Sequence, residues 1–130
     1  MNAPETNWPS WVTKADSDRL CIRNNLASDE IPWDMVCYHA QQAAEKMLKP
    51  LLVSRGVQPR KTHDLVGLLQ ETLPFDETLA ELADDCDLLN AYATDVRYPD
   101  LYEPTEQEGE EAVAATQRVG AAIRQRLEQA

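Results

Sequence analysis

At 130 residues the chain is long enough to bury one apolar core and short for two domains. Four glycines are too few for a turn-rich β protein, and the middle of the chain is dominated by Ala, Leu, Glu, Gln, Lys and Arg, so helix is the expected state. A formal charge of −11 repels phosphate backbones at long range and argues against broad nucleic-acid binding, although a helix carrying Lys46 and Lys49 could still line a locally basic groove.

Residues 1–9, with Pro4 and Pro9 and little periodicity, read as a flexible lead-in to a single domain over 10–130. Ser10 is expected to cap helix one, which ends near Ser28. Its face carries Trp11, Ala15, Ile22 and Leu26, with Asp16, Asp18 and Arg23 among the polar remainder. Helix two should begin at Pro32-Trp33, where proline's missing N–H costs nothing, and run to Arg55 before Gly56 stops it. Val36, Ala40, Ala43, Ala44, Met47, Leu48 and Leu51 form its core stripe, while Tyr38, Gln42, Glu45 and Lys49 form a polar stripe expected to remain available. Pro50 removes one hydrogen bond and crowds the carbonyl of Lys46, which predicts a kink; the alternative is a split, with a short helix restarting at Leu51.

Thr62 or His63 opens helix three, which carries Leu65, Val66, Leu68 and Leu69 and stops before Pro74. Helix four starts near Asp76, aligns Leu79, Leu82, Ala83, Cys86, Leu89 and Ala93, and ends before Pro99 with Asp95, Val96 and Arg97 in its last turn. An extended loop with Pro99 and Pro104 leads to Thr105, which with Glu108 makes a capping-box pattern for helix five, reaching about Gln129. Ala112, Ala115, Val119, Ala122, Ile123 and Leu127 supply its packing face, and Arg118, Arg124 and Arg126 point outward. These stripes are buried most simply in an all-α up-and-down bundle, with a more open helical array as the alternative.

Cys21, Cys37 and Cys86 lack the pairing of a zinc or dithiol motif and read as buried thiols of a reducing compartment. No apolar run is long enough to span a membrane, and residues 1–5 have neither a basic region nor an apolar signal core, so a soluble, cytoplasmic protein is expected. The acids from Asp100 through Glu103, Glu106, Glu108, Glu110 and Glu111 read as a solvated helix start, and their spacing is not that of a dedicated metal loop. No metal or cofactor is expected.

The segment Tyr38-His39-Ala40-Gln41-Gln42-Ala43-Ala44-Glu45-Lys46-Met47-Leu48-Lys49 resembles the signature helix of the HEPN domain family. Thr62-His63-Asp64-Leu65 followed by Leu68-Leu69, and Val96-Arg97-Tyr98-Pro99-Asp100, resemble two further family segments in the family's order. With Ala15 and Asp18 in helix one, the resemblance covers residues 11–128. It implies a bundle of about five helices, commonly a homodimer, and two kinds of role. Many members are metal-independent ribonucleases with an Arg followed four to six residues later by His; others accompany nucleotidyltransferases.

Here Arg97 is followed by Tyr98, Pro99, Asp100, Leu101, Tyr102, Glu103 and Pro104, without a histidine. RNA cleavage through its own 2′-hydroxyl calls for a group exchanging protons near neutral pH, and a phenol titrating near ~10 is poorly matched. The favoured expectation is therefore a nucleotide-binding or interaction module acting with a nucleotidyltransferase, its groove near Arg97, Tyr98 and Lys46. The alternative is a ribonuclease of a toxin–antitoxin or defence system using Arg97 and a relocated His63.

Each candidate also has a plainer reading. His63 can cap its helix and His39 can serve the core. Arg97 offers phosphate a rigid donor fork, but equally complements a helix dipole or pairs with Asp95, Asp100 or Glu45. Tyr98 can be core or interface filler with a polar tip. Glu45 and Lys49, four apart, can form a surface ion pair worth ~0.3–0.5 kcal/mol or, with Gln42, face a partner or nucleotide.

Overall fold

The computed structural model describes residues 7–93 and 103–129. Among them are five α-helices: α1 (Trp8–Leu26), α2 (Trp33–Ser54), α3 (Leu65–Thr72), α4 (Ala83–Asn90) and α5 (Glu106–Glu128), with a 3₁₀ segment (Glu77–Leu82) leading into α4. The all-α bundle expected from the stripes is the fold found.

α2 is the axis of the bundle. It packs against α1 on one side and α5 on another, while α3 and α4 close its remaining flank. Val36, Ala40, Ala44, Leu48 and Leu52 are fully buried, and Leu65, Leu68, Leu79, Leu89, Val119 and Ile123 meet them from the other elements. Each such leucine or isoleucine taken from water contributes ~1.5–3 kcal/mol. α2 ends in a Schellman cap: Val57 N donates to Leu52 O (2.9 Å) and Gly56 N to Val53 O (3.0 Å), with Gly56 at φ +79°. α2 is one continuous helix through Pro50, which excludes the split.

Three boundaries differ from the expectation. α1 begins at Trp8, two residues before Ser10, because Pro9 suits a first turn that needs no N–H and Ser10 N already bonds to Asn7 O (3.1 Å). Helix four is a 3₁₀ segment followed by an α-helix that ends at Asn90. Beyond Leu89 the bonding tightens to i+3, with Tyr92 N on Leu89 O and Ala93 N on Asn90 O, so α4 ends at Asn90, and Asp95, Val96 and Arg97, expected in its last turn, lie outside the described residues. α3 starts at Leu65, later than Thr62 or His63, because Thr62 Oγ1 accepts from Asp64 N (3.1 Å) in a local turn. The capping box of α5 is present in full, Thr105 bonding to Glu108 N and Glu108 to Thr105 N.

Leu26, expected in the core, is 37% exposed, and Cys21 is half-buried. Of the arginines expected to point outward from α5, Arg126 is largely covered, pairing with Asp76 (2.9 Å). No helix among the described residues is long and apolar enough to cross a membrane.

Candidate functional site

The polar stripe of α2 is not left available to solvent. Gln41, Gln42, Glu45 and Lys49 are all buried, so this helix is enclosed on nearly every face and its polar groups are satisfied internally. The Glu45–Lys49 pair (3.0 Å) is therefore a buried ion pair instead of a surface one.

Two carboxylates organise the site. Asp18, reaching in from α1, receives His39 Nδ1 on one oxygen (2.8 Å) and Lys46 Nζ on the other (2.8 Å). Glu45, one helical turn on from Gln41, receives His63 Nδ1 on Oε1 (2.7 Å) and Lys49 Nζ on Oε2 (3.0 Å). A carboxylate only accepts, so each imidazole carries its proton on Nδ1 and turns Nε2 away. Two buried acids and two lysines balance in charge without either histidine.

The surroundings fix these groups further. Gln41 Nε2 donates to His63 O (3.0 Å), and Gln42 Nε2 donates to Gln41 Oε1 (2.6 Å), holding the α2–α3 connection against α2. Trp11 of α1 lies under Lys49, whose Nζ is 5.3 Å from the ring centroid, a cation–π contact at the inner end of the pair. Tyr38 packs edge-on to His39. The two histidines then differ in access. The His39 side chain is 18% exposed, whereas that of His63 is 65% exposed, so His63 presents an oriented imidazole edge outward from a rigid, buried carboxylate.

Below His63, Asn90 of α4 ties the α3 start in place: its Oδ1 accepts from Leu65 N (2.8 Å) and its Nδ2 donates to Asp64 Oδ1 (3.0 Å). The Asn90 amide, the nearby N–H groups of Gly67 and Val66, and the Arg60 guanidinium hold the Asp64 carboxyl below its ordinary range, against a small opposing effect of burial.

The structure thus brings together Gln42, Glu45, Lys46, Lys49 and His63 from the sequence-derived set, and engages both lysines with acids. Arg97, Tyr98 and Asp100 lie outside the described residues, as does any groove they would form with Lys46. Asp18, Gln41, Trp11 and Asn90 are the members that sequence reasoning did not place in the site. Asp18 had a readable signal: Ala15, Asp18 and Ile22 follow 3–4 spacing on one face, a carboxylate set within an apolar stripe.

Comparison with known proteins agrees with this architecture. The HEPN domain model matches residues 8–126. Among solved structures, TT1696 from Thermus thermophilus superposes with a TM-score of 0.80 at 27% identity, over 92% of this chain and 98% of that one. An archaeal HEPN homologue, ST0689, superposes with a TM-score of 0.71 at 22% identity, over 92% and 96% of the two chains. No curated protein matches. With the family match running from the first turn of α1 almost to the end of α5, and the signature helix forming the axis of the bundle, this chain belongs to the HEPN domain family.

Proposed function

We propose that the chain is a nucleotide-binding or interaction module that works with a nucleotidyltransferase partner, and not a stand-alone ribonuclease. The observation that carries this reading is the fate of the histidines. Positions 98–104 after Arg97 contain none, and the two that exist, His39 and His63, are tied through Nδ1 to Asp18 and Glu45. The proton-transfer partner that the family's ribonuclease pattern requires beside the arginine is therefore missing from the sequence. The test titrates purified protein with ATP and a short RNA, wild type beside Arg97→Ala, and asks whether a nucleotidyltransferase encoded nearby co-purifies. Nucleotide binding without cleavage, or a stable complex with the enzyme, is the expected result; neither binding nor association would remove the proposal.

One observation favours a second reading, a metal-independent ribonuclease. The Glu45–His63 pair has the geometry by which a carboxylate orients an imidazole for acid–base work, with Nε2 outward and exposed. In that case RNA is cleaved without added metal, and His63→Ala abolishes the cleavage while leaving the fold intact.

A further inference from the structure

The geometry points to a mononucleotide site in the groove between α1 and α5, away from the α2 polar network, and we propose it as the seat of a nucleoside monophosphate; this rests on the reading that the chain handles nucleotides. The groove has a volume of about 440 Å³. That falls in the lower part of the ~300–1,000 Å³ range of small-ligand pockets, enough for one nucleotide and too small for an oligonucleotide.

Its lining divides by chemistry. Leu20 and Leu26 of α1, 46% and 37% exposed, are two of the three large apolar side chains left exposed among the described residues, and both face this groove with Val113 of α5. Exposed apolar surface concentrated in a concavity is where an apolar ring gains most from leaving water. Arg19 and Arg23 stand one helical turn apart beside it. Arg19 is held only by a 3.5 Å contact with Asp16, an acid shared with Arg124, and the Arg23 side chain makes no ion pair among the described residues.

Two arginines against the single carboxylate of Asp16 leave this groove net positive on a chain of charge −11, which suits a compact anion, and two guanidinium forks match a phosphate monoester. The exposed amide of Gln117 is available to the polar edge of a base. By contrast Lys46 and Lys49, the cations that sequence reasoning favoured, are already consumed by Asp18 and Glu45.

The experiment follows the fluorescence of mant-AMP on titration with full-length protein, with unlabelled AMP as competitor. Arg23→Glu and Leu26→Asp are compared with Lys61→Glu, which makes the same charge change as the arginine variant on the exposed α2–α3 connection; circular dichroism verifies that each variant is folded. Binding weakened at least tenfold by Arg23→Glu and by Leu26→Asp, and changed less than twofold by Lys61→Glu, is the expected pattern. Binding that survives both groove variants overturns this site while leaving nucleotide handling intact. A folded wild-type protein that binds no AMP overturns this site, and the ATP titration of wild type beside Arg97→Ala decides the nucleotide part of the proposed function separately.

Discussion

At the scale of single residues, the same side chain takes very different properties from its surroundings. Burial pushes the Cys86 thiol up to about 12, helped by the charges of Asp85 and Asp64. Burial likewise raises Cys37 to about 11, against a side-chain hydrogen bond with Tyr92 and with smaller contributions from Glu108 and Asp34. The thiolate is the form that attacks the disulfide of a thiol reagent and expels its thiolate, so at pH 8 neither should react while the protein is folded. Cys21, one position off the Ala15–Asp18–Ile22 face, is half-buried and open to reagent. An Ellman titration should therefore show one equivalent before unfolding and all three after; three rapid equivalents from native protein would contradict the packing of α2 and α4. That the three cysteines stand apart from one another was legible from spacing alone. Which of them reaches solvent was not, because that depends on a single step around α1. The same limit applied to Asp18: its place in an apolar stripe was visible, but its partners, His39 and Lys46, lie 21 and 28 residues away.

At the scale of elements, boundaries set by local chemistry were readable and those set across the fold were not. Gly56 and Thr105 act through neighbours within a few residues, and both ends fall where the sequence placed them. The start of α3 combines the local Thr62–Asp64 turn with a hydrogen bond from Leu65 N to Asn90, 25 residues away, and that distant partner could not be read from the sequence. Asn90→Ala should cost ~1–2 kcal/mol in urea unfolding by leaving Leu65 N and Asp64 without this partner. It should also alter the acid limb. Asp64 has its carboxyl depressed from 3.8, so its contribution is present above that value and is lost as pH falls through the lower folded value. Removing the Asn90 amide, the largest cause of that depression, should make stability less dependent on pH as pH falls below the ordinary carboxylate value. An unchanged acid profile would dissociate Asn90 from Asp64. A second element contact was equally invisible: Gly109 admits Trp33 against α5, and a Cβ there would fall 2.1 Å from the indole Cε3. Gly109→Ala should destabilise by ~1–3 kcal/mol despite alanine's better helix propensity, as read by thermal unfolding.

For the whole molecule, the all-helical plan followed from periodicity because every helix had an apolar stripe to bury, but the same reasoning misassigned the other side of α2. Polar spacing indicates a stripe without telling whether water or another element will meet it. Here α1 brings Asp18 and Trp11, and the α2–α3 connection brings His63, so the stripe becomes a second, polar core beside the apolar one. This arrangement has a thermodynamic signature that a surface pair lacks. Glu45→Gln strands the Lys49 ammonium, whose side chain is 8% exposed, and Lys49→Met strands one oxygen of Glu45; loss of one partner from a buried pair costs ~3–5 kcal/mol. Replacing both removes the uncompensated charge, so the Glu45→Gln/Lys49→Met double variant should be more stable than the sum of the single losses requires, with a coupling on the order of 1–3 kcal/mol. His63 remains as a hydrogen-bonding partner for the new amide, which keeps the α2–α3 connection in register. Urea unfolding of the four proteins measures the cycle directly. Single losses of only ~0.3–0.5 kcal/mol that simply add would mean that water reaches the pair as it reaches an exposed helix pair, leaving Asp18 with His39 and Lys46 as the polar link between α1 and α2.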